Sequence, residues 1–122
     1  MTVNEAIVSA GAVCKDAVSR EELITWLSEV ENTVIEEIAK THEGKAYDDS
    51  VITLEGEGDR VLFAPDPYSQ LYVHYLIMKS DDILCDTERY VNSASRFSSS
   101  YSSFADWYNR TYMPLGANRI KV

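Results

Sequence analysis

The chain has 122 residues, 45% apolar and 25% charged, which fits one globular domain and excludes a disordered or fibrous segment. Eleven Lys and Arg against 20 Asp and Glu leave a net charge of −9, which would repel a nucleic-acid backbone if spread evenly. No apolar run approaches the ~20 residues of a membrane span, and the opening MTVNEAIVSA lacks the basic start of a secretory signal.

The charge is uneven. Residues 1–66 hold 15 acids and 5 bases, whereas residues 67–122 hold 5 acids and 6 bases. From Arg89 onward Asp106 is the single acid, facing Arg89, Arg96, Arg110, Arg119 and Lys121. Cys14 and Cys85 are far apart and form no CxxC, which points to buried free thiols in a reducing compartment.

Val3, Ile7, Ala10 and Cys14 recur at helical spacing, and Thr2 with Glu5 offers a capping box. Gly11 weakens this first helix. A second capping box, Ser19 with Glu22, opens a stronger helix over about 20–42. Its apolar stripe is Leu23, Leu27, Val30, Val34 and Ile38, with Trp26 and Ile35 alongside. Glu21, Glu22, Glu29, Glu31, Glu36 and Glu37 are expected on its solvated side, and the first two also suit the helix dipole.

Residues 43–66 break the pattern. Val51–Leu54 and Arg60–Phe63 are short β-prone runs around Glu55-Gly56-Glu57-Gly58-Asp59, which predicts a loop or small hairpin. A connection this long in a small domain is usually functional or disordered. Asp66-Pro67 predicts the start of a third helix over about 67–84. Leu71, Tyr72, Val73, Tyr75, Leu76, Ile77 and Met78 make it apolar nearly all round, so it should be central or covered by a partner. Asp81-Asp82 and Asp86-Thr87 suggest a break near Cys85. The last helix, about 87–112, carries a heptad seam of Tyr90, Ala94, Phe97, Tyr101, Phe104 and Tyr108. Pro114 and Gly116 end it and leave a short basic tail, about 115–122. The expected fold is therefore all-α: one domain of about four helices, with a long loop or small β-hairpin between the second and third.

Catalytic constellations are not evident. His42, in Thr41-His42-Glu43, suits a helix C-terminus, and His74 lies on an apolar helix; neither has a convergent partner set in sequence. The pairs Glu36-Glu37, Asp48-Asp49 and Asp81-Asp82 point to different helix faces and read as solvated surface. Seven serines lie between residues 93 and 103, none in a nucleophile elbow. Gly56-x-Gly58 is flanked by acids that repel phosphate. Asn109-Arg110-Thr111 fits a glycosylation sequon, discounted here on a helix without a secretory signal. The eight tyrosines, seven of them after residue 66, suit either a core or an interface.

Two ordered motif sets carry a resemblance. One is Trp26-Leu27-Ser28-Glu29, then Glu36-Glu37-Ile38, then Lys40-Thr41-His42-Glu43. The other runs Ala64-Pro65-Asp66-Pro67-Tyr68, Leu71-Tyr72, Arg89-Tyr90, Asn92-Ser93, Phe97, Tyr101, Phe104-Ala105, Tyr108-Asn109-Arg110-Thr111 and Met113-Pro114. Over about residues 19–115 the chain resembles the small head–tail connector proteins of long-tailed bacteriophages and of prophages of Gram-positive bacteria. It departs from them in the loop 44–63 and at the last turn, where Cys85-Asp86-Thr87-Glu88 replaces a common Gly-Glu.

The resemblance implies a non-catalytic structural protein of the virion neck, made in the bacterial host cytoplasm and free of cofactors and metals. Such proteins assemble as a ring, typically dodecameric, on the portal; DNA passes through without sequence-specific binding, and a neck or tail component docks beyond. Candidate partner contacts are Glu55, Glu57, Asp59 and Arg60 in the loop, and Tyr112, Pro114, Arg119 and Lys121 at the end. Tyr90, Phe97, Tyr101, Phe104 and Tyr108 are the candidate core or interface seam. In a ring, the acidic helix 20–42 and loop 44–59 would suit the channel wall. A competing expectation is a small acidic regulator, an antitoxin or a DNA mimic, motivated by the charge of residues 1–66. A small helical enzyme would need a pocket that joins His42 or His74 to a charged partner.

Overall fold

A computed structural model describes residues 1–14, 18–42, 46–47, 52 and 58–112. The fold is all-α, with four helices: α1 (Val3–Cys14), α2 (Arg20–Val34), α3 (Gln70–Ile83) and α4 (Thr87–Thr111). A π-helical turn, Ile35–Ala39, continues α2. Helix α3 is the hub, packed on α1, α2 and most extensively α4.

Local chemistry sets the helix starts. Thr2 N–H donates to Glu5 Oε1 (3.0 Å) and Glu5 N–H to Thr2 Oγ1 (3.2 Å), the reciprocal box expected for α1. Ser19 Oγ accepts from Glu22 N–H at 3.2 Å and caps α2. Asp86 accepts from Arg89 N–H at 3.1 Å and caps α4. The buried residues of α1 are Val3, Ala6, Ile7 and Ala10, so Gly11 does not interrupt it.

Helix α2 ends earlier than periodicity suggests. Its ladder passes into the π turn, where Lys40 N–H reaches the Ile35 carbonyl at 2.9 Å. The wider turn keeps Ile35, Ile38 and Ala39 all buried. Residues 40–42 are not helical; Thr41 Oγ1 (2.8 Å from Glu37 O) and His42 Nδ1 (2.8 Å from Ile38 O) take up carbonyls there. Helix α3 also starts later than 67. Ser69 N–H returns to the Pro65 carbonyl (3.1 Å) and the Ser69 hydroxyl donates to the Asp66 carboxylate, so 66–69 form a turn. The Asp66–Pro67 peptide is cis.

The expected hairpin falls partly on residues outside those described. Within them, Val61 pairs antiparallel with Thr2 as an isolated bridge. Val3 N–H donates to Arg60 O (2.9 Å), Asn4 N–H to Gly58 O (3.0 Å), and Leu62 N–H to Met1 O (2.9 Å). Segment 58–62 therefore satisfies the open end of α1, which no short-range pattern announces. Gly58 sits so close that an added Cβ would meet Asn4 Nδ2 at 2.5 Å.

The α3–α4 turn keeps the left-handed geometry that glycine favours, with a cysteine in its place. Cys85 has φ 56°. Asp86 N–H bonds the Asp81 carbonyl (3.1 Å) and Cys85 N–H the Asp82 carbonyl (3.1 Å), a Schellman closure. The expectation of buried thiols is not met: Cys14 is half-buried and Cys85 exposed, both free. Cys14 is the last residue of α1, and Cys85 lies at the tip of the α3–α4 hairpin.

Candidate functional site

The stripe on α4 changes character along its length. Phe104 and Tyr108 are fully buried, whereas Tyr90, Phe97 and Tyr101 are half-buried. The seam is thus core at its C-terminal end and partly open toward its N-terminal end. Phe63 packs against Phe104 (6.3 Å between ring centres) and Tyr108 (5.6 Å). Tyr75 meets Phe97 edge-on at 5.1 Å.

Past Phe104 the rings spread to the surface. Tyr68 stacks on Trp107 at 5.1 Å, and Tyr112 lies against Tyr108 at 4.5 Å and Trp107 at 6.3 Å. Tyr68, Trp107 and Tyr112 are each half-buried and form one aromatic end of the molecule. Trp107 was not singled out from sequence, although it lies three residues beyond Phe104 on the same helix.

At the opposite end, the tip of the α3–α4 hairpin exposes Ile83 (52%), Leu84 (51%) and Val91 (59%). Ile83 and Leu84 continue the buried α3 stripe of Leu76 and Ser80 past the point where the domain covers it. That continuation was the available signal for an exposed apolar tip.

Two acids expected at the surface are buried. Glu31 is 3% exposed. Its Oε1 accepts from Tyr72 OH (2.7 Å) and its Oε2 from Phe63 N–H (2.8 Å), while Tyr72 Oη accepts from Ala64 N–H (2.9 Å). Burial, with Glu31 adding to it, pushes the Tyr72 hydroxyl well above its ordinary pKa. Asp81, also 3% exposed, accepts from Ser93 Oγ at 2.8 Å and lies 3.6 Å from Arg89 Nε. Each carboxylate faces a neighbouring element that supplies donors, which is why burial is tolerated.

The acidic side of α2 is also partly engaged. Tyr75 OH donates to Glu29 (3.3 Å) and Tyr101 OH to Glu37 (3.0 Å), and Lys40 pairs with Glu36. Burial first, then Glu29, pushes Tyr75 up to about 12. Burial and the Glu37 bond push Tyr101 further in the same direction.

Of the expected partner contacts, Asp59 is exposed, and Arg60 and Tyr112 are half-buried. Arg60 and Glu31 help to line a cavity of about 340 Å³. Glu55, Glu57, Pro114, Arg119 and Lys121 lie outside the described residues. A larger groove of about 640 Å³ separates α1 from the 66–69 turn and the start of α3, with Glu5, Val8, Asp66 and Pro67 in its walls.

His42 joins elements rather than facing a cavity. Its Nε2 lies 2.5 Å from Asn109 Oδ1 on α4, and its ring meets Tyr108 edge-on at 5.0 Å. Burial, then Arg96, holds His74 below its ordinary pKa. Among the described residues no three His, Cys, Asp or Glu side chains converge to hold a metal, and no helix is long and apolar enough to cross a membrane. What the surfaces offer chemically is contact: aromatic at one end, aliphatic at the other. The chain matches no protein-family model, no curated protein and no solved structure.

Proposed function

We propose that this chain is a helical adaptor of the phage head–tail connector type. Copies join head to tail in a ring on a portal, extend the channel through which DNA passes, and present a surface to the next neck or tail component. The ordered motifs over residues 19–115 suggest the family.

One observation carries the reading: the α3–α4 hairpin ends in two unlike surfaces, aliphatic at Ile83, Leu84 and Val91, aromatic at Tyr68, Trp107 and Tyr112. Ring contacts are heterologous and need two different faces on each copy. Exposed apolar surface is where such contacts form. In the ring, the exposed glutamates of α2 are assigned to the channel wall, where negative charge keeps DNA from sticking. An acidic regulator draws less support, since Glu29, Glu31 and Glu37 are engaged by tyrosine hydroxyls.

The test is retention on a purified portal ring at moderate salt. Wild-type chain is expected to be held, and a Leu84→Lys, Val91→Lys double variant to fail to form a ring there. Loss of wild-type retention would end the connector reading.

A further inference from the structure

We propose that the seam between α3 and α4 carries an oxyanion site for a small phosphate monoester. Arg96 and His74 hold the phosphate group, and the hydroxyls of Ser99, Ser100 and Ser103 meet the hydroxylated body that bears it.

The first support is a pair of basic side chains that no acid separates. Tyr75 meets Phe97 edge-on at 5.1 Å, which sets α3 and α4 level at the preceding residues, His74 and Arg96. Arg96 is exposed and His74 half-buried. After burial, the Arg96 charge is what holds the His74 imidazole below its ordinary value, so the two groups face each other. Among the described residues neither side chain makes a hydrogen bond or an ion pair. The nearby acids are turned elsewhere. Asp81 takes Ser93 and lies against Arg89, and Asp66 takes the Ser69 hydroxyl. From α2, Glu29 and Glu37 take the hydroxyls of Tyr75 and Tyr101, and at the start of α1 Glu5 takes the Thr2 amide. Asp82, Glu88 and Asp106 are eight or more residues along their helix from His74 or Arg96, which is about 12 Å or more. Two facing cations without a counter-charge are stabilised by an anion between them, and a guanidinium fits phosphate with two parallel bonds.

The second support is a pocket of about 190 Å³ farther along the same seam. Pro67 and Tyr68 form one wall, and Ser99, Ser100 and Ser103 of α4 form the other. Ser100 is one helical turn, about 6 Å, from Arg96, within reach of its long side chain. Each serine hydroxyl both donates and accepts, and among the described residues none of the three is engaged. The pocket is smaller than the roughly 300 Å³ at which drug-sized sites begin, so the body is small. Hydroxyls on one wall and the half-buried Tyr68 on the other suit a short polyol. The inference goes beyond the connector reading and does not depend on it.

The test is NMR of the two histidine rings in the full ¹³C-labelled chain, titrated over pH. Ribose 5-phosphate and inorganic phosphate are the probes, each compared with chloride at equal ionic strength. Saturating ribose 5-phosphate is expected to raise the His74 midpoint by about half a unit or more, because a bound anion favours the imidazolium. His42, tied to Ile38 O and Asn109, is the internal reference and is expected not to respond. Inorganic phosphate is expected to need a several-fold higher concentration for the same rise, since it leaves the pocket unfilled. Arg96→Gln, at an exposed position, is expected to raise the His74 midpoint with no phosphate present and to abolish the further rise. Ser100→Ala, Ser103→Ala is expected to bring the two probes to equal half-saturation. A His74 midpoint that ignores ribose 5-phosphate, or that moves together with His42, overturns the site. So does a rise that survives Arg96→Gln. Equal half-saturation by the two probes in the wild type overturns the assignment of the pocket to the polyol.

Discussion

Glu31 and Asp81 are each 3% exposed, and each is held by donors from outside its own helix. Glu31 and Asp81 sit in acidic runs, and an acid on a helix is normally solvated. Their donors lie elsewhere in the chain: Phe63 and Tyr72 are 32 and 41 residues from Glu31, and Ser93 is 12 from Asp81. Only folding brings them together. Tyr72 completes two bonds at once, to Glu31 and to Ala64 N–H, so Tyr72→Phe strips a donor from a buried carboxylate and an acceptor from a buried amide. A loss of about 2–4 kcal/mol is expected by urea denaturation. A change below about 0.5 kcal/mol would mean that water replaces the hydroxyl. Cys85 gives the opposite sign. Its left-handed backbone costs a side-chain-bearing residue about 1 kcal/mol that glycine avoids. Cys85→Gly should raise the melting temperature by about 3–5 °C; no gain would mean that the thiol contributes contacts that offset the strain.

Among the elements, those written in short-range pattern were legible. Helix α4 runs Thr87–Thr111 against an expected 87–112, and the α1 capping box forms as spaced. Helix α2 was only partly legible, because the same apolar stripe is compatible with an α-helix to 42 or with a π turn at 35–39. Packing of Ile35, Ile38 and Ala39 chooses between them. The tyrosine–glutamate bonds that tie α2 to α3 and α4 have a pH signature. An unfolded tyrosine ionises near 10.0, whereas Tyr75 does so near 12 in the fold. The unfolded state therefore loses its proton first, and stability present below pH 10 falls as pH rises toward 12. Tyr101, raised further, extends that fall upward. Urea midpoints at about pH 9 and about pH 11 should show the decline in the wild type and a shallower one in Tyr75→Phe, Tyr101→Phe. Equal declines would assign it to other groups.

At the scale of the whole molecule, the net charge of −9 first reads as a reason to set DNA aside. Under the proposed ring it would be a property of a channel wall, and the unlike ends of the α3–α4 hairpin would be the surfaces that join copies. The sequence by itself determined the all-α class, the number of helices and most of their apolar stripes. Helical spacing and capping act over three or four residues, so they can be read along the chain. Only the tertiary structure decided that α3 is the hub, that segment 58–62 closes the start of α1, and which acids are buried. It also decided where the aromatic seam passes from core to surface. Those outcomes depend on which elements meet across tens of residues, and the competition for burial that settles them has no short-range signature.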